Sequence, residues 1–538
     1  MEKHTTKQEM LRCYADILRA KIWYLLILFL FLHGTVPAQL NKRQLRSLNN
    51  EAHDHYAVGS YASAWHLYRS VLANDANHKN AGLSAAECAV KLGYPADSLM
   101  QLEQNLKVIK APDAIYYLAM IRHKEKKFDE AIEHLTKYRA VRSGKRSYDN
   151  NDIDKLTANC RNAKQFAAVP TGAVIRNMGK NINSEYSDYV PVIMPDESAM
   201  YFTSRRKNST HPKRNGDNTF FEDVYVSQKN DTGWAQAESV GFPINTETND
   251  ACVALSPDGQ RMIVYRTASD IVSGDLYITS LGENNRWQDL QLMGNEINSD
   301  YVETSACFSN DTNEIFFSSD RPGGLGGKDI YRIKKLPNGK WSAPMNLGPA
   351  VNTSEDDDAP FLHPDGITLY FSSKGHNSMG EYDVFSSTWD SSTNKFSEAQ
   401  NLGYPINDVG NDIFFVLSVD GQRGYYSSWR DDNLGGTDIY EIDTRFRTTD
   451  LQVKTGRVVV GLKYGRALVT LTEKESGALN GYYYSHPATG KFILVLNPKM
   501  TYSAVISADG YKEQKITISP SAFGENTDLK FVLEKEVE

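Results

Sequence analysis

Cysteine is scarce in this sequence, and no two cysteines have the spacing of a metal or redox site. The 538 residues include 5 cysteines, none of them in a Cys-x-x-Cys arrangement. The sequence also lacks His-Glu-x-x-His, Gly-x-Ser-x-Gly and a phosphate-binding glycine loop. We therefore expect no metal, no cofactor and no enzymatic activity.

Positive charge and long apolar runs are also in short supply. The formal net charge is −8, and no basic stretch occurs beyond the first residues. Nothing here can neutralise several phosphates at once, so nucleic acid is not an expected partner. The apolar run at residues 22–32 is shorter than the roughly 20 residues that span a bilayer.

The amino terminus has the order of a secretory signal. Basic residues precede the apolar run, and Val36 and Ala38 place small residues at a cleavage position. We expect residues 1–38 to be a signal peptide that exports the chain to the periplasm, with or without association with the outer membrane. An uncleaved anchor is the alternative. No cysteine follows the predicted cut, so a lipid-anchored terminus is not expected.

Residues 39–168 show helical periodicity and an internal repeat. Ala52, Ala86 and Ala119 stand 34 and 33 residues apart. Small side chains let two helices approach closely. The pattern resembles the tetratricopeptide repeat (TPR), which implies helical hairpins with a concave protein-binding face; a merely solvated face is the alternative. The residues expected on that face are Asn49, His53, Tyr56, Leu83, Glu87, Tyr116, Met120 and His123.

A second repeat runs through residues 172–445. The motif Gly-x-x-Ile/Val-Asn occurs five times, and an aspartate in a turn follows each asparagine after thirteen residues. The asparagines are Asn183, Asn245, Asn298, Asn352 and Asn407. Each unit of about 54 residues contains four short apolar runs, which is typical of a propeller blade. We predict five blades, closed by residues 173–178 as the outer strand of the last one.

An acid stands five residues after each motif asparagine. The five acids are Asp188, Asp250, Glu303, Asp357 and Asp412. At the channel mouth they could bind a cation or a basic peptide segment. Structural hydrogen bonding between blades is the favoured alternative, because a residue that occurs once per blade is what structural repetition produces.

Residues 450–538 alternate apolar and polar positions between glycine turns, which predicts an antiparallel sandwich. The glycine and aromatic pairs at Gly490 and Gly510 resemble the carboxypeptidase regulatory-like domain. The propeller segments "SPDGQRMIVY" and "HPDGITLYFSS" resemble PD40 repeats of the WD40-like, TolB-like kind. The implied fold is all-α TPR-like repeats, then a five-bladed β-propeller, then an immunoglobulin- or transthyretin-like β-sandwich.

This order of domains resembles the PorE-like envelope proteins of the Bacteroidota type IX secretion machinery. The resemblance implies a non-catalytic scaffold that binds other envelope proteins, secretion-machinery components among them. An OmpA-like domain is not seen, so peptidoglycan contact is not expected. The alternatives are a secreted or surface propeller enzyme that acts on glycans or peptides, and an exported cargo with a carboxyl-terminal sorting domain.

Overall fold

The computed structural model describes residues 40–57, 59–92, 96–207, 219–268, 273–282, 284, 286–444, 449–522 and 529–536. The predicted signal peptide, residues 1–38, lies outside these ranges. Within them, no helix is long and apolar enough to cross a membrane.

Seven α-helices come first in the described part of the chain. Helices that follow one another in the sequence pack against each other. Ala52, Ala64, Ala119 and Ala131 are fully buried where helices meet, so the short side chains allow close approach. The helices are α1 Lys42–Ala57, α2 Tyr61–Asn74, α3 Lys79–Lys91, α4 Ala96–Val108, α5 Pro112–Lys124, α6 Phe128–Arg139 and α7 Asn150–Ala168.

The prediction of all-α TPR-like repeats over residues 39–168 is wrong: the described part of the chain has only seven α-helices and is mostly β. Beyond residue 173, the regular elements of the described residues are β-strands joined by turns and loops, apart from the short 3-10 helix Pro520–Ala522. The recurring alanines misled this prediction for a physical reason. Any closely packed pair of helices needs short side chains at its contacts, so their spacing reports helix pairing and does not specify a repeat family.

Five antiparallel sheets follow the helices in the described residues. We call these sheets blades one to five. Blade one contains β2 Asp188–Ile193, β3 Ala199–Ser204, β4 Asp223–Asn230, β5 Gly233–Trp234 and β6 Glu238–Ser239, and blade two contains β7 Asp250–Leu255, β8 Arg261–Thr267, β9 Gly274–Ser280 and β10 Gln291–Leu292. Blade three contains β11 Ala306–Phe308, β12 Glu314–Ser319, β13 Asp329–Lys334 and β14 Met345–Asn346; blade four contains β15 Asp357–Leu362, β16 Thr368–Ser373, β17 Asp383–Asp390, β18 Lys395–Phe396 and β19 Gln400–Asn401; and blade five contains β20 Asp412–Leu417, β21 Arg423–Ser428 and β22 Asp438–Asp443.

Strand β1, Val174–Asn177, closes the ring of blades. It precedes blade one in sequence but pairs with β22 of blade five, with Val174 opposite Asp443. This is the closure predicted from the strand count, and it leaves no open sheet edge between the first and last blades. The Asn177 side-chain amide donates to Asp438 at 2.7 Å, and its oxygen accepts from the Gly179 N–H at 2.8 Å.

Replacing Asn177 with alanine should therefore weaken the closure. The buried Asp438 carboxylate loses a donor, so we expect the free energy of unfolding to fall by about 1–3 kcal/mol. Denaturant unfolding of the purified chain measures this. Arg176→Ala on the same strand is the control, since Arg176 is half-exposed and its ion pair with Glu441 is 3.8 Å long. An equal loss in both variants would contradict the role of Asn177.

The last domain is a sandwich of two sheets. One contains β23 Gln452–Val460, β24 Lys463–Tyr464, β27 Lys491–Leu496 and β30 Leu529–Leu533, and the other β25 Leu468–Glu473, β26 Leu479–Tyr484, β28 Tyr502–Ser507 and β29 Gln514–Ile518. Strands β23 and β30 run parallel. The core between the sheets includes the buried side chains of Tyr483, Phe492 and Tyr502.

The helices and the sandwich cover opposite ends of the propeller. Lys491 of the sandwich pairs with Asp196 at 2.5 Å, and the Tyr484 N–H donates to Asp258. Both aspartates lie in turns after the innermost strands, whereas the helices contact loops that precede such strands. Between the two ends, the innermost strands enclose a narrow apolar cavity of about 100 Å³, lined by residues such as Val190 and Phe414.

Candidate functional site

The motif asparagines hold neighbouring blades together. The Asn245 side-chain oxygen accepts from the Val224 N–H at 2.8 Å, and its amide donates to the Val224 carbonyl at 2.9 Å. Asn298, Asn352 and Asn407 make the first of these contacts with the third strand of the preceding blade. The repeating asparagine is therefore a clamp between blades.

The five acids that follow the asparagines are all buried, with at most 1% of their surface exposed. The Asp188 carboxylate accepts from Ser184 and from Arg206 at 2.5 Å. Asp250, Glu303 and Asp412 pair in the same way with Arg266, Arg321 and Arg430. The hydrogen-bond partners of these four carboxylates lie in or next to strands of the same blade, so the acids stabilise their own blade and do not bond to a neighbouring one.

Blade four breaks this pattern. Glycine 375 stands where blades one, three and five have their arginine, and Asp357 has no ion pair in the described part of the chain. Asp357 accepts from Thr353 at 2.5 Å. Burial, with Asp329 adding to it, raises the pKa of Asp357 to about 7.

A cavity of about 1320 Å³ lies between the helices and the propeller mouth. The helices are held over blades four and five by polar contacts. Lys126 pairs with Asp408 at 2.8 Å, and the Asn159 amide donates to the Gly380 carbonyl at 2.8 Å. The helices therefore cover this mouth, and we call them the cover. The cavity is shared by the helical segment and the propeller, which the sequence had predicted as separate domains.

The first polar group at this cavity is Tyr189, Arg205 and Glu222, which we call the blade-one triad. Tyr189 and Arg205 line the cavity, and Glu222 hydrogen-bonds to both of them. The Tyr189 hydroxyl donates to Glu222 at 2.5 Å. Arg205 donates to the Tyr189 oxygen at 3.1 Å and to Glu222 at 2.7 Å. Burial raises the pKa of Tyr189. Burial alone would lower the pKa of Arg205, but Tyr189 and Glu222 raise it.

The second group is Asp356, Lys374 and Tyr382, the blade-four triad. The Lys374 ammonium lies 2.9 Å from Asp356 and 4.6 Å from the centre of the Tyr382 ring, and the Tyr382 hydroxyl hydrogen-bonds to Asp356. Partial burial opposes ionisation of Asp356, but Lys374 holds its pKa below the usual value. Burial and the nearby Asp358 and Asp356 raise the pKa of Tyr382.

The two triads share one composition: a carboxylate, a cation and a tyrosine. Blades one and four are not adjacent in a ring of five, so the triads approach the mouth from different sides. Tyr189, Arg205, Lys374 and Tyr382 all line the cavity. The positions of Tyr189, Arg205 and Glu222 correspond to Asp358, Lys374 and Tyr382 in blade four, so Asp356 stands two residues before the position equivalent to Tyr189. In the other blades they carry Ala251, Thr267 and Gly274 (blade two), Thr304, Asp320 and Lys328 (blade three), and Ile413, Trp429 and Thr437 (blade five). The mouth is therefore asymmetric, although the blades repeat.

The cover adds one more charged group. Lys124 of α5 lines the cavity, and burial lowers its pKa against the opposing effect of Glu381 and Asp408. No ion pair within 4 Å is found for Lys124 among the described residues. Its side chain extends the polar wall of the cavity on the helical side.

The eight residues predicted on a concave helical face lie in different environments. Met120 and His123 line the cavity under the cover. Tyr116 is buried against Tyr148, with ring centres 3.9 Å apart. Leu83 and Tyr56 pack partly into the helical core, and Tyr56 hydrogen-bonds to Glu87. His53 stacks on Tyr56, and Asn49 lies on α1.

His123 also meets a thiol, but the pair is not a nucleophile. Cys160 Sγ lies 3.3 Å from the His123 Nδ1 atom. Burial lowers the pKa of His123 to about 4 and raises that of Cys160 to about 12. At neutral pH both groups are uncharged, whereas a reactive cysteine needs its thiolate. The cysteines Cys88, Cys160, Cys252 and Cys307 are all free and buried.

The comparisons with known proteins concern the fold. No family model matches the chain, and no curated protein matches it. An α-L-arabinofuranosidase of Podospora anserina, solved in complex with cellotriose, is 13% identical over 50% of this chain and 92% of its own, with a TM-score of 0.32. The GH62 α-L-arabinofuranosidase catalytic domain of Coprinopsis cinerea is 12% identical over 52% and 99%, with a TM-score of 0.35. An α-L-arabinofuranosidase of Lactobacillus brevis is 11% identical over 56% and 94%, with a TM-score of 0.32.

These comparisons contradict the predicted PorE-like, PD40 and TPR families and the predicted absence of enzymatic activity, because the similar structures are described as glycoside hydrolases. The repeated asparagines and acids misled the family assignment because they stabilise blades and report little else. The propeller-enzyme alternative agrees better with the comparisons than the scaffold hypothesis does. Scores this low transfer neither substrate nor reaction to this chain.

Sequence reasoning missed both triads because it searched for residues that recur. Glu222 and Tyr382 stand immediately before the repeating aspartates Asp223 and Asp383, and Arg205 and Lys374 immediately follow the second strands of their blades. Aligning the five repeats and selecting the flanking positions that differ most would have found them. The cover could not be found in this way, since Lys126 and Asp408 are 282 residues apart.

Proposed function

We propose that the chain is a propeller enzyme that binds and cleaves a glycan in the covered mouth. The observation that carries the proposal is the pair of carboxylate–cation–tyrosine triads on non-adjacent blades. Such a site combines a few placed polar groups with aromatic walls, as ligand cavities generally do.

The charge balance of the triads favours a neutral polyhydroxylated ligand. Arg205 already neutralises Glu222, and Lys374 already neutralises Asp356. Paired charges can still donate and accept hydrogen bonds, but they do not require a charged partner. The rings of Tyr189, which lines the cavity, and Trp429 add apolar faces of the kind that stack on sugar rings.

Glu222 and Asp356 are the candidate acid and base pair. Glycoside hydrolysis uses two carboxyl groups that flank the scissile bond, one to protonate the leaving oxygen and one to activate water or attack the sugar. Lys374 keeps Asp356 ionised, which suits the base or nucleophile role. Glu222 accepts hydrogen bonds from the Tyr189 hydroxyl and from Arg205. As the candidate acid, it would take a proton from solvent before it protonates the leaving oxygen. Export to the periplasm is part of the same proposal.

Incubation of the purified chain with a panel of neutral oligosaccharides tests this function. The panel covers xylo-, cello- and arabino-oligosaccharides, and chromatography detects the products. We expect cleavage of at least one of them, reduced to background in the Glu222→Gln, Asp356→Asn double variant. Glu238→Gln, at an exposed strand remote from the mouth, is the control. Cleavage that is equal in all three proteins would contradict the site, and binding without cleavage would contradict the enzymatic half of the proposal.

A further inference from the structure

A second polar cleft lies at the opposite end of the propeller, between blades three and four and the sandwich. Its volume is about 500 Å³. One wall is apolar, with Phe316 and Trp389, and the sandwich contributes the Asn480 and Asn497 amides. The charged residues that line this cleft are Arg332 of β13, Lys334, Asp311, Glu314, Asp365 and Glu473.

Arg332 is buried but poorly paired. Only 5% of its surface is exposed. Its Nε atom has no hydrogen-bond partner among the described residues, and the nearest carboxylate oxygen, on Glu314, is 3.7 Å from Nη1, which is beyond hydrogen-bond distance. The guanidinium stacks on the Trp389 ring at 4.6 Å. A buried guanidinium normally donates several hydrogen bonds, because leaving its donors unmade is costly.

Arg332 is also out of step with the repeat. Strand pairing places it opposite Phe316, and the equivalent residues of the other blades are Val226, Ile278, Ser386 and Glu441. The blade therefore does not need an arginine at this position. Burial lowers the pKa of Arg332, and Glu314 only partly offsets this, so the residue adds a cost that a bound anion would relieve.

We propose that this cleft is a binding site for an organic carboxylate with an apolar body, held by a bidentate pair with Arg332. A carboxylate matches the planar fork of a guanidinium, and it would supply the acceptors that Arg332 lacks. The apolar wall around Phe316 and Trp389 would cover the body of the ligand. The same chemistry is offered by a free aromatic or fatty acid and by a peptide carboxyl terminus. The site is independent of the glycan site, which lies at the other end of the propeller.

Calorimetric titration of the full chain tests the proposal. The probes are 3-phenylpropionate, decanoate and acetyl-Gly-Phe, each beside its uncharged amide. We expect binding of at least one carboxylate, and at least about tenfold weaker binding of its amide, since the charge-assisted bonds are lost. Tighter binding of acetyl-Gly-Phe would identify a peptide carboxyl terminus as the ligand. Tighter binding of 3-phenylpropionate or decanoate would identify a small organic acid as the ligand.

Variants separate the specific pair from general charge. Arg332→Met should weaken carboxylate binding at least about tenfold, whereas Lys334→Met, which removes a half-exposed cation of the same cleft, should change it less than about threefold. Melting curves establish that both variants fold; methionine keeps the stem volume and leaves no buried charge. The proposal is overturned if no carboxylate binds, if the amides bind equally well, or if Arg332→Met binds like the wild type.

Discussion

Replacing Glu222 with glutamine is expected to lower the rate of glycan cleavage by about 10²–10⁴-fold, the usual contribution of a positioned proton-transfer group. Glutamine keeps the size of the side chain and can still accept from Tyr189 and Arg205, so the fold and the affinity for the glycan should change little. Kinetics with the best substrate of the panel measure the rate, and calorimetry measures the affinity.

A conservative partner variant separates chemistry from structure. Tyr189→Phe removes the hydroxyl that donates to Glu222 but keeps the ring, so we expect a smaller loss of rate and a shifted pH profile. Unchanged kinetics for Glu222→Gln would exclude this carboxylate from the reaction. A parallel loss of affinity and melting temperature would reassign it to a structural role.

Replacing Asp357 with asparagine should stabilise the protein at pH 8 and have little effect near pH 4. The pKa of this buried carboxyl is about 7 in the folded chain, above its ordinary value, so folding retains a proton that the unfolded chain releases. Stability therefore falls as pH rises from about 4 to about 7, and then stays at its lower level. At about 1.4 kcal/mol per pKa unit, the cost at pH 8 is roughly 2–4 kcal/mol.

Asp188→Asn is the matched control for this effect. Asp188 occupies the same place in blade one but pairs with Arg206 at 2.5 Å. Neutralising it removes the carboxylate partner of the Arg206 guanidinium, so we expect destabilisation of about 3 kcal/mol at pH 8. Melting temperatures from pH 4 to 8 compare the two. Destabilisation of both variants at pH 8 would mean that folding does not raise the pKa of Asp357.

The blades were the most predictable part of this protein. The interval between each asparagine and its turn aspartate is constant, because the asparagine clamps one blade to the next, as Asn245 does with Val224. The closing strand was predictable from the count of strands. The repeated motif therefore predicted the blades, but it said little about function.

The predictions of a TPR-like helical class and of a PorE-like family were wrong for the same reason. Buried alanines such as Ala52 and Ala119 meet a requirement of helix packing that many folds share. The mouth was missed because its residues, Glu222 and Lys374 among them, are those that change from blade to blade. The aligned repeats also show that Gly375 of blade four replaces an arginine. The consequence of this change, a raised pKa of Asp357, depends on the burial of Asp357, which only the structure shows.

The most direct test of the central claim is a crystal structure of the Glu222→Gln variant with a bound oligosaccharide from the panel. We predict density for the sugar beneath the helices, with one sugar ring against Tyr189 or Tyr382. We also expect sugar hydroxyl groups within hydrogen-bond distance of the side chain at position 222 and of Asp356. Sugar bound only outside the covered mouth, at the sandwich or on the outer face of the helices, would contradict the account.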